Sequence, residues 1–157
     1  MSWNNEDGLF QRFDTETSVV AGDGQSNSKV QVLHVVIDSA DLPAITDIYG
    51  DRPYIPANAV ILDSVFVCET AWTGTTPTLT VGLAEQDQTV IDADGIDAAV
   101  AVDTEQAAAG DVFVGDGALT DRSVTVGTAN AYVYAATGGT VTAGKSHLYI
   151  RFMKTDL

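Results

Sequence analysis

The sequence predicts an all-β fold, an antiparallel β-sandwich of about eight strands, on three observations. Residues 60–70, VILDSVFVCET, are apolar on both sides for much of their length, which a central strand of a two-layer structure requires. Residues 78–84 alternate cleanly, with Leu79, Val81 and Leu83 on one side and Thr78, Thr80 and Gly82 on the other. Short strand-like runs separated by Gly, Asp, Thr and Pro recur along the chain with little helical patterning, which favours a sandwich or jelly-roll-like architecture over a parallel sheet.

In chain order, residues 1–8 are polar apart from Trp3 and read as an N-terminal arm. A short strand is expected at 9–14, then a long Ser-, Gly- and Asp-rich loop at 15–28. Residues 29–38, KVQVLHVVID, form a strand with Val30, Val32, His34 and Val36 opposing Gln31, Leu33, Val35 and Ile37. His34 among β-branched neighbours reads as a satisfied structural histidine. Residues 39–54, with Pro43 and Pro53, are an irregular connection. In 60–70, Val60, Leu62, Ser64, Phe66 and Cys68 share one face, and Ile61, Val65 and Val67 lie on the other. A polar connection then leads to the strand at 78–84. The Ala-rich stretch 96–109, bracketed by Gly95 and Gly110, predicts a short helical insertion. Strands follow at 111–114, 122–126, 130–137 and 145–154. Gly138-Gly139 reads as a hairpin turn and Gly144 as a second turn. In the last strand Leu148, Ile150 and Phe152 share a face. The expected core includes Val65, Phe66, Val81, Val133 and Ile150. With 157 residues, no repeat and no low-complexity linker, one domain spans 1–157.

Charge narrows the partners. Twenty-two acids, 17 of them Asp, face seven Lys and Arg, for a net charge of −15. Nucleic acid and an acidic membrane surface are therefore not expected as partners, since both need a basic footprint. A solvated acidic shell is the plain reading of the excess. The single cysteine, Cys68, excludes an intrachain disulfide and a cysteine-built zinc site, and its apolar setting predicts a buried structural thiol. The N-terminus carries no basic and apolar export signal, and no window reaches the ~20 apolar residues of a membrane span.

No catalytic constellation stands out. Asp92, Asp94 and Asp97 around Gly95 are a weak calcium candidate, because hard cations want several oxygens on a tight turn. The spacing lacks a closing Glu, so self-capping turn aspartates are favoured, and no metal or cofactor is expected. His34 and His147 lie mid-strand, and no Gly-x-Ser-x-Gly elbow exists to build a Ser/His/Asp hydrolase. Trp3, Tyr49, Tyr54 and Trp72 fall in segments read as arm or loop, which makes them candidate interface anchors or, alternatively, sugar-stacking residues.

Three stretches, YIPANAVILDSVFVCETAW with TPTLTVGLAEQ, VIDADGIDAAVAV, and YVYAATGGTVTAGKSHLYIRF, resemble the small virion proteins encoded near the capsid gene in tailed bacteriophages. The likeness covers roughly residues 54–103 and 130–152. It implies a jelly-roll-like capsid decoration or cement protein, not an enzyme, sitting on the outer head surface. The partners it implies are the major capsid protein and sister subunits, as a homotrimer. A carbohydrate-binding module or receptor-binding head fibre is the alternative, and would put Trp72 and the loop tyrosines on an exposed groove.

Overall fold

Of the 157 residues, the computed structural model describes 2–4, 10–12, 30–42 and 53–155. Strands β1 (Ser2–Asn4) and β2 (Phe10–Arg12) pair antiparallel as a two-stranded ladder. Residues 2–4, within the expected N-terminal arm, are thus engaged in pairing. Strands β3 (Val30–Asp38), β4 (Val60–Ala84), β5 (Val90–Ala101), β6 (Val112–Val114) and β7 (Tyr132–Met153) form one antiparallel sheet in the order β3-β7-β4-β5, with β6 also pairing β4. One helical turn, α1 (Val102–Glu105), follows β5. The all-β antiparallel class read from the sequence holds, with seven strands among the described residues in place of about eight.

The layering differs from two separate sheets. The expected strands at 60–70 and 78–84 are a single 25-residue strand, and the 22-residue β7 runs beside it throughout. Their ladder slips register at four places between Cys68 and Thr78. Each slip places an extra residue in one strand, which bends it and tightens its twist. Both halves of the bent sheet turn one face toward a common core. Phe66, Leu148 and Ile150 come from one half, and Leu79, Val81, Leu83 and Val133 from the other. Gly115, just after β6, closes the arrangement: a Cβ there would stand 2.3 Å from the Ser64 hydroxyl of β4 and 2.5 Å from the Ile96 carbonyl of β5.

Several local expectations are corrected for the same reason. Gly138-Gly139 is not a hairpin turn; it continues β7 opposite a bulge at 75–78, where Thr76 and Gly139 both take positive φ (47° and 67°). The chain reverses instead at 85–89. There the Glu85 and Gln88 amides donate to the Thr89 and Glu85 carbonyls, at 2.8 and 3.0 Å, and the Thr89 amide donates to the Asp87 carboxylate at 3.0 Å. The helical insertion expected over 96–109 is confined to α1, because residues 96–101 are recruited into β5 by pairing with β4. Tertiary pairing outweighs the modest helix preference of an Ala-rich run.

Candidate functional site

Every second residue of the β3–β7–β4–β6 region points away from the core, and cross-strand register sorts these residues into rows. One row runs Val114, Val65, Tyr149, His34; the next runs Val112, Val67, His147, Val36; a third holds Asp63, Arg151 and Val32. Of nine exposed large hydrophobic residues among those described, six lie on this outer face: Val30, Val32, Val36, Val112, Val114 and Tyr149. Val65, expected in the core, is half-buried here, while Phe66, Val81, Val133 and Ile150 are buried as expected. Leu62 and Ile61 also exchange sides. A bulge between Ile61 and Asp63 shifts the alternation by one residue, so Ile61 is buried and Leu62 is not.

Charged and aromatic groups tie the strands of this face together. His34 Nε2 lies 2.8 Å from His147 Nδ1, and His147 Nε2 lies 2.8 Å from a Glu69 carboxylate oxygen. Because His147 Nε2–H donates to that carboxylate, its Nδ1 is left to accept from His34. Lys145 Nζ reaches the other Glu69 oxygen at 3.1 Å. These two donors, Lys145 first, hold the Glu69 carboxyl below its ordinary range. The His34 ring stacks on Tyr149 at 4.6 Å between centroids. Arg151 pairs with Asp63, and Arg122 donates from Nε to the Leu62 carbonyl at 2.7 Å. Val32, Asp63, Val65, Val114, Arg122, Tyr149 and Arg151 line a shallow groove of about 460 Å³. His34 is therefore satisfied, as expected, but on an exposed face.

Other candidate residues lie elsewhere. Trp72 is buried, 2% exposed, and so is no surface anchor. Its indole N–H donates to Ser146 Oγ at 2.6 Å, and the Ser146 hydroxyl in turn donates to Gln106 Oε1. Gly144 makes room for the ring: a Cβ there would sit 2.2 Å from the indole. Cys68 is buried beside the same group, its thiol 3.6 Å from the Gln106 carbonyl and pushed up in pKa by burial and then by Asp111. Tyr54 is 47% exposed, with its ring 5.7 Å from Tyr132. Trp3 lies in β1, and nothing further is described of it; Tyr49 is outside the described residues.

The weak calcium set does not converge. Asp94 is exposed and Asp92 half-buried, whereas Asp97 points inward at 3% exposure. Among the described residues no three His, Cys, Asp or Glu side chains gather closely enough to hold a metal ion. Asp97 Oδ1 accepts from the Asp116 amide at 3.3 Å, and Oδ2 has no partner. Desolvation first, and then the nearby Asp116 and Glu105, push its pKa up to about 6. This buried carboxyl is not legible in the residues alone, because acids on either side of Gly95 look alike until β5 pairs with β4. The His34–His147–Glu69 chain was equally hidden, since its members are separated by 113 and 78 residues.

No protein-family model and no curated protein sequence matches the chain. Among solved structures, a chain in the capsid asymmetric unit of cyanophage Pam1 superposes with a TM-score of 0.51 at 16% identity, over 92% of this chain and 94% of that one. A chain in the capsid of Ralstonia phage GP4 gives 0.52 at 18% identity, over 92% of both. At such identities the likeness concerns the fold, and over nearly its whole length this chain shares the fold of chains found in two phage capsids.

Proposed function

We propose that this protein is a structural component of a phage virion that decorates and stabilises the outside of the capsid by binding the major capsid protein. The observation that carries the proposal is the fold likeness to two phage capsid chains, which spans more than nine-tenths of each partner in the comparison. The three sequence stretches that resemble small virion proteins point the same way. A net charge of −15 favours the outer surface over the genome-lined interior, where phosphate would repel it. The outer sheet face, apolar with charged ties, suits protein contact. In this reading the protein is non-catalytic and self-associates, a homotrimer being the expected form, so that several weak capsid contacts act together. The carbohydrate-binding alternative put Trp72 and the loop tyrosines on an exposed groove; Trp72 is buried, which removes its central stacking residue, while Tyr54 is exposed.

Heads assembled without the protein test the proposal. They are expected to form normally but to release DNA at a lower temperature than complete heads, and added protein restores the difference. Heads of equal thermal resistance with and without the protein would contradict the stabilising role.

A further inference from the structure

We propose that the outer face of the β3–β7–β4–β6 region is the surface on which a second copy of this chain docks. The inference rests on the virion reading above for its context and on three features of the face for its content. First, Val32, Val112 and Val114 are 61%, 59% and 63% exposed, and they flank the half-exposed Tyr149 and Val36 in adjacent rows. Rows of β-branched side chains on a rigid sheet lose little conformational freedom when covered, so most of their burial is retained as binding. The hydrophobic gain is about 25 cal/mol per Å² of apolar surface removed from water.

Second, the charge of the face selects the occupant. Lys145, Arg151 and Arg122 stand against Glu69, Asp63 and Asp38, three cations to three carboxylates, with the imidazoles of His34 and His147 in the rows. The chain as a whole carries −15. Two copies meeting elsewhere bring acidic surfaces together, at a Coulomb cost that grows as water is excluded. On this face Lys145 and Arg151 are already paired with carboxylates within the copy and Arg122 is held by the Leu62 carbonyl, and a near-neutral apolar surface meets its counterpart with little like-charge repulsion.

Third, the size is adequate. Nine residues of β3 at ~3.3 Å per residue and neighbouring strands at ~4.8 Å give a projected patch of about 500 Å². With side-chain relief, this approaches the ~800 Å² per partner of a stable interface.

The test compares the wild-type chain with Val32→Lys, Val114→Lys and Val90→Lys by light scattering across a dilution series, with circular dichroism as the check on folding. Val90 is also exposed, at 48%, but begins β5 in the other half of the sheet. Val32→Lys and Val114→Lys are expected to weaken self-association on the order of 100-fold, since each buries an unpaired charge, while Val90→Lys leaves it unchanged. If a lysine variant fails to fold, the near-isosteric Val32→Thr and Val114→Thr pair is expected to weaken association about tenfold with the fold intact. A monomeric wild-type chain overturns the proposal, whether the face is then found open or covered by residues 1–29 of its own chain. An oligomer indifferent to Val32 and Val114 overturns it as well. Binding to bare phage heads is measured separately: an intact oligomer that does not bind them refutes the virion reading and leaves the docking surface standing.

Discussion

Asp97 is a buried carboxylate with one oxygen unsatisfied, and such a group opposes folding when charged. Its folded pKa of about 6 lies above the ordinary ~3.9. The group's contribution is therefore most favourable below pH ~4, where the proton is held in both states. It is lost as pH rises through about 6, where the folded protein surrenders the proton it had kept. Asp97→Asn is expected to stabilise the protein at pH 7 by up to about 3 kcal/mol, with the advantage vanishing near pH 4. Melting curves across that range check it, and equal stabilities at pH 7 would contradict it. Phe66 lies at the opposite extreme. It is fully buried and stacked on Phe113 at 4.3 Å, so Phe66→Ala is expected to cost about 3–5 kcal/mol in denaturant titration. The burial of Phe66 is legible from alternation alone. That of Trp72 is not, because its neighbours Thr70, Thr73 and Gly74 are polar or small and its hydrogen-bond partner Ser146 is 74 residues away.

At the scale of elements, β4 and β7 carry the architecture, and their bend is where sequence reading stops working. Residues 78–84 and 148–152 keep strict alternation, and their inward sets, Leu79, Val81 and Leu83 with Leu148, Ile150 and Phe152, are all buried. Between them, Gly138, Gly139 and Gly144 look like chain reversals because glycine marks turns and bulges alike. Only the long-range ladder tells the two uses apart. Residues 96–101 are strand and not helix for a related reason, since β-pairing to Leu79 and Val81 is invisible in a local window. The bend depends on Gly144 admitting the Trp72 ring beneath the strand. Gly144→Ala drives a methyl group into the indole and is expected to destabilise the protein by at least about 1–3 kcal/mol. It should also shift the tryptophan fluorescence, because the contact with Ser146 is disturbed. An unchanged melting temperature would show that the packing at the bend is slack.

For the whole molecule, an acidic chain with a near-neutral apolar face among its described residues suits the proposed place on a larger assembly and against its own copies. The fold class, the charge argument against nucleic acid and the virion resemblance were all available from the residues. The location of the proposed contact face was not, because it required the pairing of β3, β6 and β7 around β4. The central claim is placement on the outside of a phage head. A cryo-electron microscopy reconstruction of the intact virion tests it most directly. The account predicts density fitting the bent sheet at regular positions on the outer surface of the shell, in contact with the major capsid protein. Density for this chain on the inner surface, at the tail alone, or nowhere in the particle would contradict it.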